Sequence, residues 1–172
     1  MQFESRDLCQ IIETISTVMF GCEVQTRCLA VTSPRAAGDL TGVVPISGAW
    51  NGAVALECSA DLSRQAASVM FDTQPELITV DHIHDAVGEL TNIVAGNFKT
   101  LLSGCSHLGL PTVAEGEDYG LRYPGSRTVV QIAVETPMFP FLVTVLTDVE
   151  CGETSGGSSD CEHEQTATTV SR

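Results

Sequence analysis

The sequence predicts an α+β domain built on a largely antiparallel sheet. Strand-like segments arrive in consecutive groups with hairpin-like joins. Helical segments stand before and between those groups, giving the order helix, strands, helix, helix, strands. Regular strand–helix alternation, the mark of a parallel sheet, is missing from that order.

Each element has a local reason. From Glu4 to Phe20, Leu8, Ile11, Ile12, Ile15 and Met19 recur at helical spacing, and Gly21 is placed to end the helix. Cys22 to Val31 follows as a strand with weak alternation, and "TSPRAAGD" is a loop marked by Ser, Pro and Gly. "LTGVVPISGAWNGAVALEC" reads as two strands joined near Gly48 to Gly52. "SADLSRQAASVMF" is a short helix, with Ser59 or Asp61 able to accept from free N–H groups of its first turn. "DTQPE" breaks the chain, and a long helix is expected from Thr79 to Leu102, closed by Gly104 and Gly109. Strands follow around Pro111 to Gly116, Thr128 to Thr136 and Phe141 to Val149. In the second, Val130, Ile132 and Val134 share a face; in the third, Phe141, Val143 and Val145 do. "TPMFP" joins these last two strands.

The 172 residues suffice for one domain with a real core, assigned to residues 1–149. Residues 150–172 are Gly/Ser/Thr-rich, acidic and nearly free of large apolar side chains, so they are expected to be a disordered tail. The 22 acids against 8 bases give a formal net charge of -14, which repels phosphate backbones and anionic lipid. Neither nucleic acid nor a membrane surface is therefore an expected partner, and no apolar run is long enough to cross a bilayer. The opening "MQFESRDLCQ" has no basic segment followed by an apolar one, so a cytoplasmic setting is expected. The seven cysteines are scattered, which fits reduced thiols, several of them buried as small apolar residues.

The long helix carries the most informative pattern. At about 100° per residue, Ile83, Val87, Leu90, Val94, Phe98 and Leu101 fall in one core-facing stripe. Asp85, Glu89, Asn92, Gly96 and Lys99 fall on the opposite side. Asp85, Glu89 and Asn92 are neighbours one turn apart, and no Lys or Arg stands three or four residues from Glu89. Gly96 costs a helix roughly 1 kcal/mol relative to Ala, and Asn competes for backbone hydrogen bonds. Such a face suits a flat surface kept for another molecule. From spacing alone the simpler reading is an ordinary solvated helix side, with Gly96 admitting another element of the same chain. Spacing describes a surface and names no chemistry. A short echo lies in the first helix, where Glu13 precedes Ser16 as Glu89 precedes Asn92, consistent with a two-fold internal repeat.

At these residues the sequence resembles the CheX/CheC family of chemotaxis phosphatases, and more closely its CheX type. The family motif is Asp or Ser, three residues, Glu, two residues, Asn, and a later proline. Asp85, Glu89 and Asn92 in "DAVGELTNIVAG" match it, with Pro111 of "LGLPTVAEG" as the proline. A looser resemblance through "GAWNGAVALECS", the glycine after the first helix and the final paired strands extends over roughly residues 1–149. The resemblance implies a CheC-like fold with an exposed long motif helix, a pseudo-two-fold repeat and homodimers paired through their sheets. It implies a substrate, the phospho-aspartate of a CheY-like receiver domain. Asn92 would hold a water in line with phosphorus, and Glu89 would pair with the receiver's lysine. Asp85, Gly96 and Lys99 would share the receiver-facing surface. The protein would need no cofactor of its own, with Mg2+ expected in the receiver. Ser16, standing where Asn92 would correspond, would leave one active site per chain.

Other chemistry is weaker. His82 and His84 point about 200° apart on a helix and cannot easily share one metal ion. Cys151, Cys161 and His163 lack a regular metal-site spacing, and His107 has no evident nucleophile beside it. No glycine-rich phosphate loop or Gly-x-Ser-x-Gly elbow is present. Trp50 reads as core or dimer packing. The leading expectation is a phospho-aspartate phosphatase. The rivals are a receiver-binding module without catalysis and a dimeric adaptor working through its acidic tail.

Overall fold

The computed structural model describes residues 4–20, 24–29, 40–116, 125–135 and 140–148. In chain order the elements are α1 (Ser5–Phe20), β1 (Gln25–Leu29), β2 (Leu40–Gly48), β3 (Gly52–Cys58), α2 (Ala60–Met70), a 3-10 turn (Pro75–Leu77), α3 (Val80–Lys99), β4 (Ser106–Leu108), β5 (Thr112–Glu115), β6 (Ser126–Glu135) and β7 (Phe141–Asp148). The expected loop "TSPRAAGD" and the tail from 150 fall wholly, and "TPMFP" mostly, outside the described residues.

The strands form one sheet in the order β1-β6-β7-β3-β2-β4, with β5 also on β2, and every pairing is antiparallel. This is the expected α+β architecture. Alternation sorts each strand into two faces. One face presents Val44 and Ile46 of β2, Val54 and Leu56 of β3, Val130, Ile132 and Val134 of β6, and Phe141, Val143 and Val145 of β7. The apolar stripes of all three helices, including Leu8, Ile12, Leu62, Ala66, Leu90 and Phe98, close the same core. Each fully buried Leu, Ile, Val or Phe there contributes roughly 1.5–3 kcal/mol of transfer free energy. The other face holds a smaller cluster of Val43, Ala53 and Ala55 with Leu146 against it. Trp50 meets Phe98 edge-on with ring centroids 5.5 Å apart, so it packs against the core.

Three local expectations are refined. Ser59, not Asp61, caps α2: its hydroxyl accepts from the Leu62 N–H at 3.2 Å. The long helix stops at Lys99, and Thr100 to Leu102 tighten into i→i+3 bonds, as helix ends commonly do. The strand β4 was not expected, because three residues carry no alternation. It forms by pairing Ser106–Leu108 with Gly48–Ile46. Gly48, at φ +120°, lets the chain turn beneath the Cys105 carbonyl, which accepts from the Ala49 N–H at 2.8 Å.

The outer edge beside β2 is divided. β5 pairs with Leu40–Val43 and β4 with Ile46–Gly48. Between them stands Pro45, which has no N–H to donate. Its carbonyl accepts from the Gly109 N–H at 2.8 Å, and a Cβ on Gly109 would collide with the proline ring.

Candidate functional site

The candidate site is built on α3. Thr79 starts this helix with a reciprocal cap: its hydroxyl accepts from the His82 N–H at 3.3 Å, and its own N–H donates to His82 Nδ1 at 3.4 Å. Arg64 of α2 donates to the Ile78 carbonyl at 3.2 Å and fixes the chain just ahead of that cap. The core side of α3 then buries Ile83, Val87, Leu90, Val94 and Phe98, as the spacing predicts. Thr91 is also buried, and its hydroxyl turns back to the Val87 carbonyl at 2.6 Å. Beneath it lies Gly42 of β2, where any Cβ would overlap the Thr91 hydroxyl. That close approach sets the height of α3 over the sheet.

On the other side, Asp85 and Glu89 are exposed, while Asn92, Gly96 and Lys99 are half-buried. Asp85 and Glu89 line an open cleft of about 850 Å³ with Pro111, Gly88, His84 and Ile93. Met19 of α1, Met70 and Phe71 at the end of α2, and Val113 of β5 complete its walls. The structure thus brings Asp85, Glu89 and Pro111 together. Asn92, Gly96 and Lys99 continue along the helix and do not line that cleft. Among the described residues, the side chains of Asp85, Glu89, Asn92 and Lys99 make no hydrogen bond or ion pair. The cleft is tied together one turn earlier, where His84 Nε2 meets Glu115 Oε2 at 3.1 Å.

The surroundings of Asn92 are distinctive. Residues four before and four after it on a helix are its neighbours. Here both are glycines, Gly88 and Gly96. A Cβ at Gly88 would meet Pro111 and Val113 at 3.6–3.7 Å, and one at Gly96 would meet Leu108 at 3.8 Å. These are ordinary contact distances, so among the described residues alanine fits both places and packing does not require glycine. The amide of Asn92 thus meets no side chain from the positions four before and four after it, and Glu89 is its polar neighbour one turn earlier. Gly88 is a site feature that the sequence reading missed, although its spacing from Asn92 was there to be read. The walls Met19, Met70, Phe71 and Ile93 carried no such signal, because three separate elements meet to form them.

The first-helix echo is different. Glu13 accepts from the Thr26 hydroxyl at 2.6 Å, and Ser16 is 1% exposed. The two histidines of "HIH" have separate tasks, one in the helix cap and one against Glu115. Among the described residues no group of three or more His, Cys, Asp or Glu is placed to hold a metal ion. No helix among them is long and apolar enough to cross a membrane.

The fold is shared with solved chemotaxis proteins. CheX from Vibrio vulnificus superimposes with a TM-score of 0.68 at 18% identity, over 82% of this chain and 96% of that one. CheX from Desulfovibrio desulfuricans gives 0.68 at 21% identity, over 84% and 98%. A Borrelia burgdorferi CheX, solved in a complex with CheY, BeF3 and Mg2+, gives 0.69 at 16% identity, over 86% and 100%. No curated protein matches the chain. The family profile of chemotaxis phosphatase CheX matches residues 40–135, from β2 through the whole of α3 to the end of β6. With more than half of its length inside that match, the chain belongs to the CheX family of chemotaxis phosphatases.

Proposed function

We propose that this protein hydrolyses the phospho-aspartate of a CheY-like receiver domain, with Asn92 positioning the attacking water and Glu89 anchoring the receiver's lysine. One observation carries the assignment. Glu89 is exposed and without a partner among the described residues, one turn from an amide flanked by two glycines. The family and the Borrelia complex support a receiver as the partner.

An acyl phosphate is already reactive, so the work left is orientation. The Asn92 carboxamide can accept a hydrogen bond from a water and donate one to it without bringing a charge near the phosphoryl oxygens. The water oxygen bonds to phosphorus opposite the aspartyl oxygen. The P–O bond to aspartate breaks, leaving a carboxylate and inorganic phosphate. Glu89 supplies the opposite charge for a lysine and fixes the register of α3 on the receiver. Asp85, Gly96 and Lys99 extend that contact surface. Mg2+ belongs to the receiver's acidic pocket, where it offsets phosphoryl charge. We assign the activity to residues 1–149 and treat 150–172 as dispensable for it; the working form is a homodimer.

The decisive experiment follows receiver phospho-aspartate lifetime in Mg2+ with wild type and with Asn92→Ala. Wild type is expected to shorten the lifetime, and Asn92→Ala to bind but lose on the order of 100-fold in rate. A wild type that binds the phosphorylated receiver and leaves its lifetime unchanged would make this a docking module.

A further inference from the structure

Two thiols from distant parts of the sequence meet where α1 crosses the edge strand β1. Cys9 Sγ and Cys28 Sγ are 3.7 Å apart, nineteen positions apart in the chain. Cys28 is exposed on β1, and Cys9 is half-buried on α1. The other described cysteines lie elsewhere: Cys58 is in β3, separated from β1 by β6 and β7, and Cys105 precedes β4 at the far edge. A disulfide has sulfurs about 2.05 Å apart, so closure asks for less than 2 Å of approach, within reach of small side-chain rotations. Among the described residues β1 has a strand neighbour on one side only, and α1 lies over it. A cross-link here would tie the first helix to the strand least held by the sheet.

We propose that Cys9 and Cys28 form a reversible oxidation site that closes to an α1–β1 disulfide when the protein meets hydrogen peroxide. The Cys28 thiolate attacks one peroxide oxygen, the O–O bond breaks, and the leaving hydroxide takes a proton to become water. Cys28 is then a sulfenic acid. The Cys9 sulfur attacks the Cys28 sulfur, the S–O bond breaks, and the hydroxyl leaves with the Cys9 proton as a second water. Two thiols have lost two electrons and two protons, and the peroxide has become two waters. Burial, foremost, pushes the Cys9 thiol up, so Cys9 stays protonated and the exposed Cys28 reacts first. A dithiol reductant reverses the bond by exchange and itself becomes a disulfide. The inference does not rest on the phosphatase reading.

The test treats the full chain with one equivalent of hydrogen peroxide, alkylates it, and digests it without reduction. Trypsin together with a Glu-specific protease separates Cys9 from Cys22 at Glu13. The expected product joins the Cys9 and Cys28 peptides, two hydrogens lighter than their sum, and disappears with dithiothreitol. Oxidation is expected to raise the melting temperature by roughly 6–12 °C, because it closes a short loop in the unfolded chain. Cys28→Ser, at an exposed position, keeps the fold and loses both effects. The site is overturned if Cys28 is recovered as a sulfinic acid, or joined to another cysteine or a second chain, while Cys9 is alkylated. Equal melting of peroxide-treated wild type and Cys28→Ser overturns it as well.

Discussion

α1 and α3 both carry a glutamate three residues before a small polar side chain, and the fold places the two pairs in opposite surroundings. In α1 the pair turns inward. Glu13 is held by the Thr26 hydroxyl of the neighbouring strand, and Ser16 is buried with its oxygen lacking a partner among the described residues. In α3 the pair turns outward, with Glu89 exposed and Asn92 between two glycines. A carboxylate with an internal partner helps hold its own chain together. A carboxylate without one is available to another molecule. The same spacing is therefore used inside the fold in one place and left facing solvent in the other, and only tertiary context separates them.

The contrast can be broken most sharply at Glu89. Glu89→Gln is expected to weaken receiver binding by up to about 100-fold, or about 2.7 kcal/mol, with the melting temperature unchanged. Glu13→Gln should leave that affinity untouched. Titration calorimetry with both variants decides it, and equal losses would erase the distinction. Restoring the motif in α1 is expected to fail. Ser16→Asn buries an amide where no partner stands, and should cost about 2 kcal/mol in denaturant unfolding without adding a second site. Thr26→Val removes the hydroxyl that holds Glu13, and is expected to lower stability by about 1 kcal/mol with receiver binding intact. The smallest effect has two signs. Gly96→Ala should stabilise α3 by up to about 1 kcal/mol, since the added methyl meets Leu108 at 3.8 Å, yet weaken receiver binding. Gain in both would make Gly96 an ordinary helix defect.

Much of this contrast was legible in the sequence. Leu8, Ile12 and Ser16 stand four apart, so Ser16 continues a buried row of α1. Gly88, Asn92 and Gly96 stand four apart in α3, a row without bulk. The apolar stripe of α3 and the shared faces of β6 and β7 followed from period alone, because burial on one side dictates it. What stayed hidden depends on register between elements. The Thr26–Glu13 bond and the Cys9–Cys28 approach need β1 placed under α1, and β4 exists only because the end of β2 offers it a ladder. The cleft walls come from α1, α2 and β5 at once, and no local pattern announces such a meeting.

The Pro45–Gly109 notch bears on how copies of this protein can stick together. It leaves the outer edge as strands of three and four residues with a gap between them. A foreign strand laid along that edge finds a few consecutive backbone partners and then a break. Long uninterrupted edges are what seed cross-β growth, so this one is a poor template for aggregation. Replacing Pro45 to mend the ladder is expected to lengthen the edge and to favour fibrous association.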